Sequence, residues 1–410
     1  MENRLLYINL DGFAKYYFDL IDSKKEKLPA ISKLMEDGTF FEDVSTGIPS
    51  ITYPMQSSLV SGAYSDITGN CYQYLDRENN CLVLCKRLNK AQTIGERLKE
   101  MEIPFVSIQQ FALEEKGCSK EDKDYLYLQP GGDYKDRFDV LDSLLQTNCI
   151  KMDKKEYVFK SLPQAIFLYI DDLDTIGHNP LPHFSMTEKE RVAKVQRRLM
   201  EIDKRLYQMI TILQNQGLYD TTSILLTTDH GMISYKGQSK TKELVVAFKQ
   251  IGFTDIKICE EGSHCPADWQ VLLTSHSIQC QVYFKDSSID LDRIKEQISQ
   301  LSFVDKVMTK NDLVAEGVNL KYADLLVSPK EGMFFSSQHE AVPILCASHD
   351  SLHSKCRKVF AVMKGTSIKK GYSLSKGIKT IDLVPTLCRA VGLPVMKNAT
   401  GTIINEALID

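Results

Sequence analysis

An unbroken β-rich run ends in a polar turn at Ser223-Ile224-Leu225-Leu226-Thr227-Thr228-Asp229-His230-Gly231. Polar and apolar residues do not alternate in this run, which is typical of a strand covered on both faces in a mostly parallel sheet. Similar runs stand at residues 5–10, 165–170 and 359–363, and helical patterns lie between them. The alternation predicts a layered α/β sandwich with a mostly parallel central sheet.

The longest helical pattern covers residues 185–217. Ser185, with Glu188 three positions later, predicts a capping box at its start, and Gly217 predicts its end. Between them apolar residues recur every three or four positions, which indicates one face packed in the core.

The stretch 236–345 has a pattern unlike the rest of the chain. A helix at 291–301 and several short strands crowd into it. We interpret it as a smaller α+β insertion, or cap, in a core formed by residues 1–235 and 346–410.

The composition excludes several classes of function. Hydrophobic residues make up 43% and charged residues 25% of the 410 residues, as in ordinary globular proteins. Fifty Lys and Arg against 54 Asp and Glu give a net charge of −4, so no basic surplus is available to bind a nucleic-acid polymer. No apolar run reaches the ~18 residues that span a bilayer, so no membrane partner is expected.

The cysteines and the N-terminal sequence bear on the compartment. The eleven cysteines are odd in number and form no C-x-x-C motif, which argues against a disulfide framework or a zinc ribbon. The first apolar run is too short for a secretory signal. Both features predict a cytoplasmic protein with reduced thiols.

Acidic residues stand just after three of the predicted strands, at Asp11, Asp174 and Asp229, and His230 follows the last of them. Because ligands bind at the carboxyl ends of strands in an open α/β sheet, these side chains are expected to meet. Like charges at one edge need a positive partner, which a divalent metal ion supplies. For any one of these aspartates, a helix N-cap is the alternative.

His178 stands four residues after Asp174, so carboxylate and imidazole reach one point from a turn or short helix. Asp229 and His230 are adjacent and need the bend that Gly231 provides. Mixed oxygen and nitrogen ligands suit Zn²⁺, Mn²⁺ or a similar ion. Each motif alone also fits a structural role.

Thr52 is the candidate nucleophile. Pro54 fits the first turn of a helix, so the Thr52 hydroxyl is expected near a helix N-terminus, where the dipole favours an alkoxide and an incoming phosphoryl group. A metal contact would activate the hydroxyl further. The alternative is an N-cap threonine.

Read together, these motifs resemble the alkaline phosphatase superfamily, and most closely its type I phosphodiesterase/nucleotide pyrophosphatase family, with the phosphonoacetate hydrolases as relatives. The resemblance covers most of the chain and implies an alkaline-phosphatase-like three-layer sandwich. It is carried by Asp11-Gly12, residues 49–54 and 59–62, Asp174-x-x-Gly177-His178, Thr228-Asp229-His230-Gly231-Met232, Ser348-His349 and residues 380–387.

The resemblance implies two metal ions, usually zinc, with manganese as the alternative. One ion would be held by Asp11, Thr52, Asp229 and His230. The other would be held by Asp174, His178 and His349. Thr52 would attack phosphorus in line and form a covalent phosphothreonine intermediate that water then hydrolyses.

Substrate contacts are also implied, with some departures. Asn70 matches the family's asparagine that donates to a phosphoryl oxygen, and a turn asparagine is the alternative. The family often has Phe-Pro-Asn-His after the nucleophile, where this chain has Tyr53-Pro54-Met55-Gln56. Tyr53 is a candidate to stack on a nucleobase or an aromatic leaving group, or else it simply packs.

Two further points concern the ligands and the substrate. The last metal ligand is assigned to His349 rather than His353, because His349 directly follows an apolar run, and His339 is given a surface role. Residues 107–111 contain no lysine to hold a substrate carboxylate, which disfavours phosphonoacetate.

The expected function is a two-metal hydrolase that cleaves phosphodiester or nucleotide pyrophosphate bonds in a small-molecule substrate. A phosphonate hydrolase or a phosphomonoesterase is the alternative enzyme. A degenerate, non-catalytic binding module on the same fold is the alternative of another class.

Overall fold

The structure, a computed structural model, describes residues 3–152, 154–182 and 184–409. Its strands, in chain order, are β1 (Arg4–Leu10), β2 (Gly38–Ser45), β3 (Gln73–Asp76), β4 (Cys81–Leu84), β5 (Phe105–Ile108), β6 (Tyr125–Leu128), β7 (Cys149–Met152), β8 (Lys155–Val158), β9 (Ala165–Ile170), β10 (Thr222–Thr227), β11 (Ile233–Gln238), β12 (Ile256–Ile258), β13 (Val271–Thr274), β14 (Cys280–Phe284), β15 (Val304–Thr309), β16 (Leu325–Pro329), β17 (Ala341–Ser348), β18 (Lys358–Lys364), β19 (Tyr372–Leu374) and β20 (Ile378–Lys379).

The helices are α1 (Lys15–Asp19), α2 (Lys24–Lys27), α3 (Pro29–Glu36), α4 (Thr52–Ser61), α5 (Ser65–Thr68), α6 (Ile94–Glu100), α7 (Tyr134–Thr147), α8 (Asp172–Gly177), α9 (Glu188–Asn215), α10 (Thr241–Ile251), α11 (Leu291–Ser299), α12 (Lys310–Ala315), α13 (Ser354–Arg357) and α14 (Leu383–Ala390). Short 3₁₀ turns occur at Phe111–Leu113, Thr380–Asp382 and Asn405–Ala407.

A nine-stranded central sheet organises the chain, in the order β19-β2-β18-β10-β1-β9-β5-β6, with β20 also paired to β2. Strands β10, β1, β9, β5 and β6 are parallel neighbours, and among the described strands of this sheet β18 alone runs the other way. The predicted α/β fold with a mostly parallel sheet is therefore confirmed.

The sheet is buried on both faces, which explains the absence of polar alternation in its strands. Leu6, Ile8 and Leu10 of β1 face a cluster with helices α3, α7 and α9. Leu5 and Tyr7 face the opposite cluster, to which α6 and α14 contribute. Successive residues of a strand point to opposite faces, so one apolar run serves two cores and gives a three-layer sandwich.

A separate five-stranded sheet, β12-β13-β14-β16-β15, lies within the stretch 236–345. The antiparallel pair β11 and β17 leads out of the core after His230 and back to it just before His349. This ribbon links the ligand edge to the second sheet. The division into a core (1–235 and 346–410) and a cap (236–345) stays a prediction.

The start of α9 differs from the expectation. The capping box is formed by Thr187 and Glu190, so the helix begins at Glu188 rather than near residue 185. The motif S/T-x-x-E occurs twice in this segment, and Ser185 instead bonds through its backbone to Asn179, whose side chain fixes the preceding loop.

Candidate active site

Three parallel strands bring the predicted acidic residues to one edge of the central sheet. Asn9 of β1 pairs with Thr227 of β10, and Leu10 pairs with Ile170 of β9, so the three strands end level. Asp11 and Asp229 follow two of these ends directly. The third end leads into α8, whose first turn carries the third aspartate of the site.

The first group of ligand atoms comes from Asp11, Asp229 and His230, which offer donor atoms within 4.8 Å of one another. His230 Nε2 lies 3.3 Å from Asp11 Oδ1 and 3.7 Å from Asp229 Oδ2. The Thr52 hydroxyl lies 3.0 Å from the same His230 nitrogen. The four residues expected to share one metal ion are thus gathered around one imidazole.

The second group contains Asp174 and His349, and it shares His230 with the first. His349 Nε2 lies 4.0 Å from Asp174 Oδ1, and the His230 and His349 rings are 4.1 Å apart. His178 Nε2 lies 3.4 Å from the same carboxylate oxygen, while its Nδ1 bonds to the Ala347 carbonyl at 2.8 Å. That backbone bond fixes the ring and leaves Nε2 directed at Asp174, as metal-ligating histidines require.

Burial makes these charges costly. It raises the pKa of Asp11 well above its usual value, and the negative charges of Asp229 and Asp174 raise it further. For Asp174, burial also favours the neutral form, but the neighbouring His178 lowers the pKa below its ordinary value. Burial, followed by the charge of His230, lowers the pKa of His349.

The donor set fits a pair of cations. Asp11 Oδ1, Asp174 Oδ1 and His349 Nδ1 are buried without a hydrogen-bond partner among the described residues. Buried polar atoms are normally satisfied, and buried carboxylates are normally paired or bound to a metal. Two carboxylate–imidazole groups that share one edge are therefore suited to bind divalent metal ions.

Thr52 begins α4 but does not cap it. Ile51 is the residue that precedes the helix, and the cap makes no side-chain hydrogen bond. The half-buried Thr52 hydroxyl points instead to His230. The N-cap alternative therefore fails, and the hydroxyl is left beside the ligand groups at the amino end of a ten-residue helix.

The amide of Asn70 is buried beside Tyr53, the neighbour of Thr52. Its Nδ2 lies 3.4 Å from the Tyr53 carbonyl and 3.2 Å from both Ser57 Oγ and the Lys86 carbonyl, and its Oδ1 accepts from the Tyr72 N–H. These contacts hold the loop after α4 against the start of the helix. The role of Asn70 as a phosphoryl donor stays a prediction.

Gln56 supports the candidate site, and the sequence did not reveal it. Its Nε2 lies 2.9 Å from Asp229 Oδ2 and 2.8 Å from Asn9 Oδ1, and its Oε1 accepts from Gln110 Nε2. It stands four residues after Thr52, so the candidate nucleophile and the residue that supports Asp229 share one helix face. The four-residue spacing was the signal in the sequence that could have revealed this residue. Gln56 stands where the family often has a histidine.

Tyr169 supports the other side of the same group. Its hydroxyl donates to Asp11 Oδ2, and both side chains are buried. One oxygen of Asp11 is therefore fixed by the protein, and the other is left available for a metal.

Other candidate residues lie outside the cluster. His353 precedes α13 and caps it, its Nδ1 accepting from the Lys355 N–H at 3.2 Å. His339 is exposed. Asp171 and Asp172 pair with Arg137 and Arg198. The choice of His349 over His353 agrees with this placement.

Gly12 allows the close approach of α8 to the end of β1. Its φ is +73°, and a Cβ there would lie 2.8 Å from Asp174 Cα. Gly12→Ala is expected to cost about 1–3 kcal/mol of unfolding free energy and to lower activity by displacing Asp174. Urea denaturation and turnover measure both effects.

Gly217→Ala is the matched control. Its φ is +68°, but a Cβ there meets nothing within 4 Å. This variant carries the backbone strain without the contact, so it should lose less stability and keep wild-type turnover. Equal losses in the two variants would mean that the approach to Asp174 is unimportant.

The mostly parallel sheet, with its ligand edge and its second sheet, is an alkaline-phosphatase-like arrangement. The chain belongs to the type I phosphodiesterase / nucleotide pyrophosphatase family, whose model matches residues 5–353. The family is metal-dependent, which agrees with the two groups of candidate ligands. Among the described residues, no helix is both long and apolar enough to cross a membrane.

The chain is also similar to individual members of known activity or structure. The Bis(5'-adenosyl)-triphosphatase enpp4 of Mus musculus is 21% identical over 99% of this chain and 82% of its own length, and that of Xenopus laevis is 20% identical over 98% and 80%. Human ectonucleotide pyrophosphatase / phosphodiesterase 5 superposes with a TM-score of 0.67 at 17% identity, covering 99% of this chain and 100% of that one.

The murine form of the same protein has been solved as an inactive threonine-to-alanine variant in complex with AMP. It superposes with a TM-score of 0.66 at 16% identity over the whole of both chains. At this level of identity the likeness establishes the fold.

Proposed function

We propose that the chain is a two-metal phosphohydrolase that cleaves phosphodiester or nucleotide pyrophosphate bonds through a covalent phosphothreonine at Thr52. The observation that carries this proposal is the 3.0 Å contact of the Thr52 hydroxyl with His230, the residue shared by both ligand groups. Family membership and the AMP complex of a structural neighbour support a nucleotide substrate.

The ligand sets follow the contacts. Asp11, Thr52, Asp229 and His230 would hold one ion, most readily zinc, with manganese as the alternative. Asp174, His178 and His349 would hold the other. When bound, such ions supply positive charge for the attacking and leaving oxygens and activate the hydroxyl.

The chain itself positions the reacting groups. Thr52 Oγ1 attacks phosphorus, which forms the threonine–phosphorus bond and breaks the bond to the leaving oxygen. The amino end of α4 stabilises negative charge at this point. Water then hydrolyses the phosphothreonine, and Asn70 contributes a donor to a phosphoryl oxygen if its amide is released from the Tyr53 carbonyl.

Tyr53 is suited to contact the organic part of the substrate. Its half-buried ring meets Phe111 edge-on at 5.3 Å, which leaves it held but accessible. An aromatic ring next to the nucleophile offers a stacking surface for a nucleobase.

A substrate screen with metal analysis tests the proposal. The zinc-loaded protein is expected to hydrolyse a nitrophenyl phosphodiester at least about tenfold faster than a nitrophenyl monoester or a phosphonate, because a diester matches the family's reaction. Metal-loaded protein without turnover on any of them would favour the binding module. A preference for the monoester or the phosphonate would favour the alternative enzyme.

The location is proposed to be cytoplasmic, as the sequence predicts. The eleven cysteines are odd in number and form no C-x-x-C motif, which is typical of a reducing compartment. Cys71 and Cys85 both lie buried beside Asn70.

A further inference from the structure

A second polar cluster, formed by Tyr72, Glu261 and His276, lies beside the nucleophile. The rings of Tyr72 and His276 stack with their centroids 3.7 Å apart. The Tyr72 hydroxyl donates to Glu261 Oε1 at 2.7 Å, and His276 Nδ1 lies 2.7 Å from Glu261 Oε2. We call these three residues the Tyr72 cluster. It joins the segment after Asn70 to the insertion stretch.

The backbone holds these rings in an unusual arrangement. Tyr72 has φ +67° and Ser277 has φ +62°. Residues with side chains rarely adopt this left-handed region, and such strain concentrates at functional sites. The strained backbone at Tyr72, and at Ser277 next to His276, therefore helps to position the two stacked rings.

The cluster adjoins both ends of the candidate active site. The Tyr72 N–H donates to Asn70, whose amide contacts the carbonyl of Tyr53. Ser277 Oγ donates to the His349 carbonyl at 2.5 Å.

The cluster has one donor to spare. The bond from His276 holds the pKa of Glu261 below its usual value, so this carboxylate accepts at Oε2 from His276 Nδ1. An imidazolium with Nδ1 on Glu261 presents a second N–H at Nε2. Among the described residues nothing bonds to that nitrogen, and the His276 side chain is 23% exposed.

We propose that His276 binds the anionic leaving group of a phosphoanhydride substrate, with Tyr72 and Glu261 as positioning residues. This inference rests on the proposed function. Attack in line sends the leaving oxygen away from Thr52. His349 belongs to the ligand group that does not contain Thr52, and Ser277, the neighbour of His276, contacts the His349 carbonyl.

The chemistry explains why a cation belongs there. Thr52 forms its bond to phosphorus and releases its proton to water, while the anhydride bond breaks and the departing phosphate keeps the electron pair. A pyrophosphate leaving group carries several negative charges, and a nitrophenolate carries one. A charged N–H beyond the reacting phosphorus therefore stabilises the first more than the second.

The test compares two substrates that transfer the same group. One is a nucleoside triphosphate, which loses pyrophosphate. The other is the p-nitrophenyl ester of the same nucleoside monophosphate. His276→Gln should lower the ratio of kcat/KM for triphosphate over ester by about tenfold or more, the value of a hydrogen bond to a charged group. Glu261→Gln and Tyr72→Phe should lower it less, in the same direction.

His264→Gln is the matched control. It removes the same side chain from an exposed position in the loop of Glu261, so the ratio should stay at the wild-type value. An unchanged ratio in His276→Gln, or equal losses on both substrates, would overturn the inference. Should that variant fail to fold, an unchanged ratio in Glu261→Gln would overturn it.

The wild-type protein separates the two proposals. Turnover of the ester without turnover of the triphosphate would overturn the leaving-group inference and leave the proposed function standing. Turnover of neither would mean that the proposed function fails, and the inference with it.

Discussion

Thr52→Ala is expected to lower kcat by at least about 1,000-fold while most of the metal is retained, because loss of a nucleophile removes the covalent route altogether. The hydroxyl is the group closest to His230, at 3.0 Å, and it lies at the start of α4. Turnover of a nitrophenyl phosphodiester, together with metal content by mass spectrometry, measures both effects.

Retention of metal follows from the rest of the donor set. Removal of the hydroxyl leaves three ligands in one group, Asp11, Asp229 and His230. It leaves the other group untouched. A variant that lost all metal would indicate that the main role of Thr52 is to bind the metal rather than to act as the nucleophile.

Thr52→Ser is the matched control, since it keeps a hydroxyl at the same position. It should retain measurable turnover, reduced by the extra rotamer freedom of serine. A rapidly quenched wild-type reaction should also yield a peptide containing residue 52 with added phosphoryl mass. Wild-type rates in Thr52→Ala would show that the covalent route is wrong.

The sequence predicted the ligand edge because parallel strands leave little freedom. Once Asp11, Asp174 and Asp229 each follow a buried strand of one parallel sheet, their register brings them to one edge. The family resemblance added Thr52 and His349, which local patterns alone left open. The α/β class is confirmed by the structure, and the family is confirmed by the family model that matches residues 5–353.

Supporting residues were harder to predict because they depend on packing between distant segments. Gln56 bonds to Asp229 only because α4 docks against the end of β10. Ser277, next to His276, contacts the carbonyl of His349, which is 72 residues further on in the chain. The start of α9 was misplaced because two overlapping capping motifs compete, and only packing decides between Ser185 and Thr187.

The metal-free protein is expected to be inactive and less stable than the zinc-loaded protein. Zinc at a hundredfold excess over its dissociation constant would add about 2.7 kcal/mol per site to the unfolding free energy. Dialysis against a chelator, followed by thermal unfolding with and without added zinc, measures the difference. Equal melting temperatures together with full activity after chelation would contradict a two-metal site.

Asp11→Asn should have opposite effects on the activity of the zinc-loaded enzyme and on the stability of the metal-free protein. In the zinc-loaded enzyme it should lower activity at least about 100-fold, as expected for loss of a metal ligand or its close support. In the metal-free protein it should raise stability by about 1 kcal/mol, because it removes a buried charge that Asp229 and Asp174 repel. The Tyr169 hydroxyl can still donate to the amide oxygen.

The pH dependence of the unfolding free energy is an independent test of the destabilising effect of the Asp11 charge in the metal-free protein. Since burial and the neighbouring carboxylates raise the pKa of Asp11, the folded metal-free protein binds a proton more tightly than the unfolded chain does. Its stability should therefore be fully present below about pH 3.9, the ordinary value for aspartate, and should fall as the pH rises through the raised folded value. Metal-free Asp11→Asn should lack this fall.

Asp172→Asn is the matched control for these measurements. Asp172 is also a buried aspartate near the same edge, but it is paired with Arg198. Burial also raises the pKa of Asp172, although Arg198 lowers it, so its substitution should change stability by the same amount with and without zinc. A gain in stability that disappears when zinc is added, in Asp11→Asn but not in Asp172→Asn, would show that the ligand edge is built around a missing positive charge. If Asp11→Asn lowers stability without metal, the carboxylates of the edge are held by the protein itself and no cation is needed to explain them.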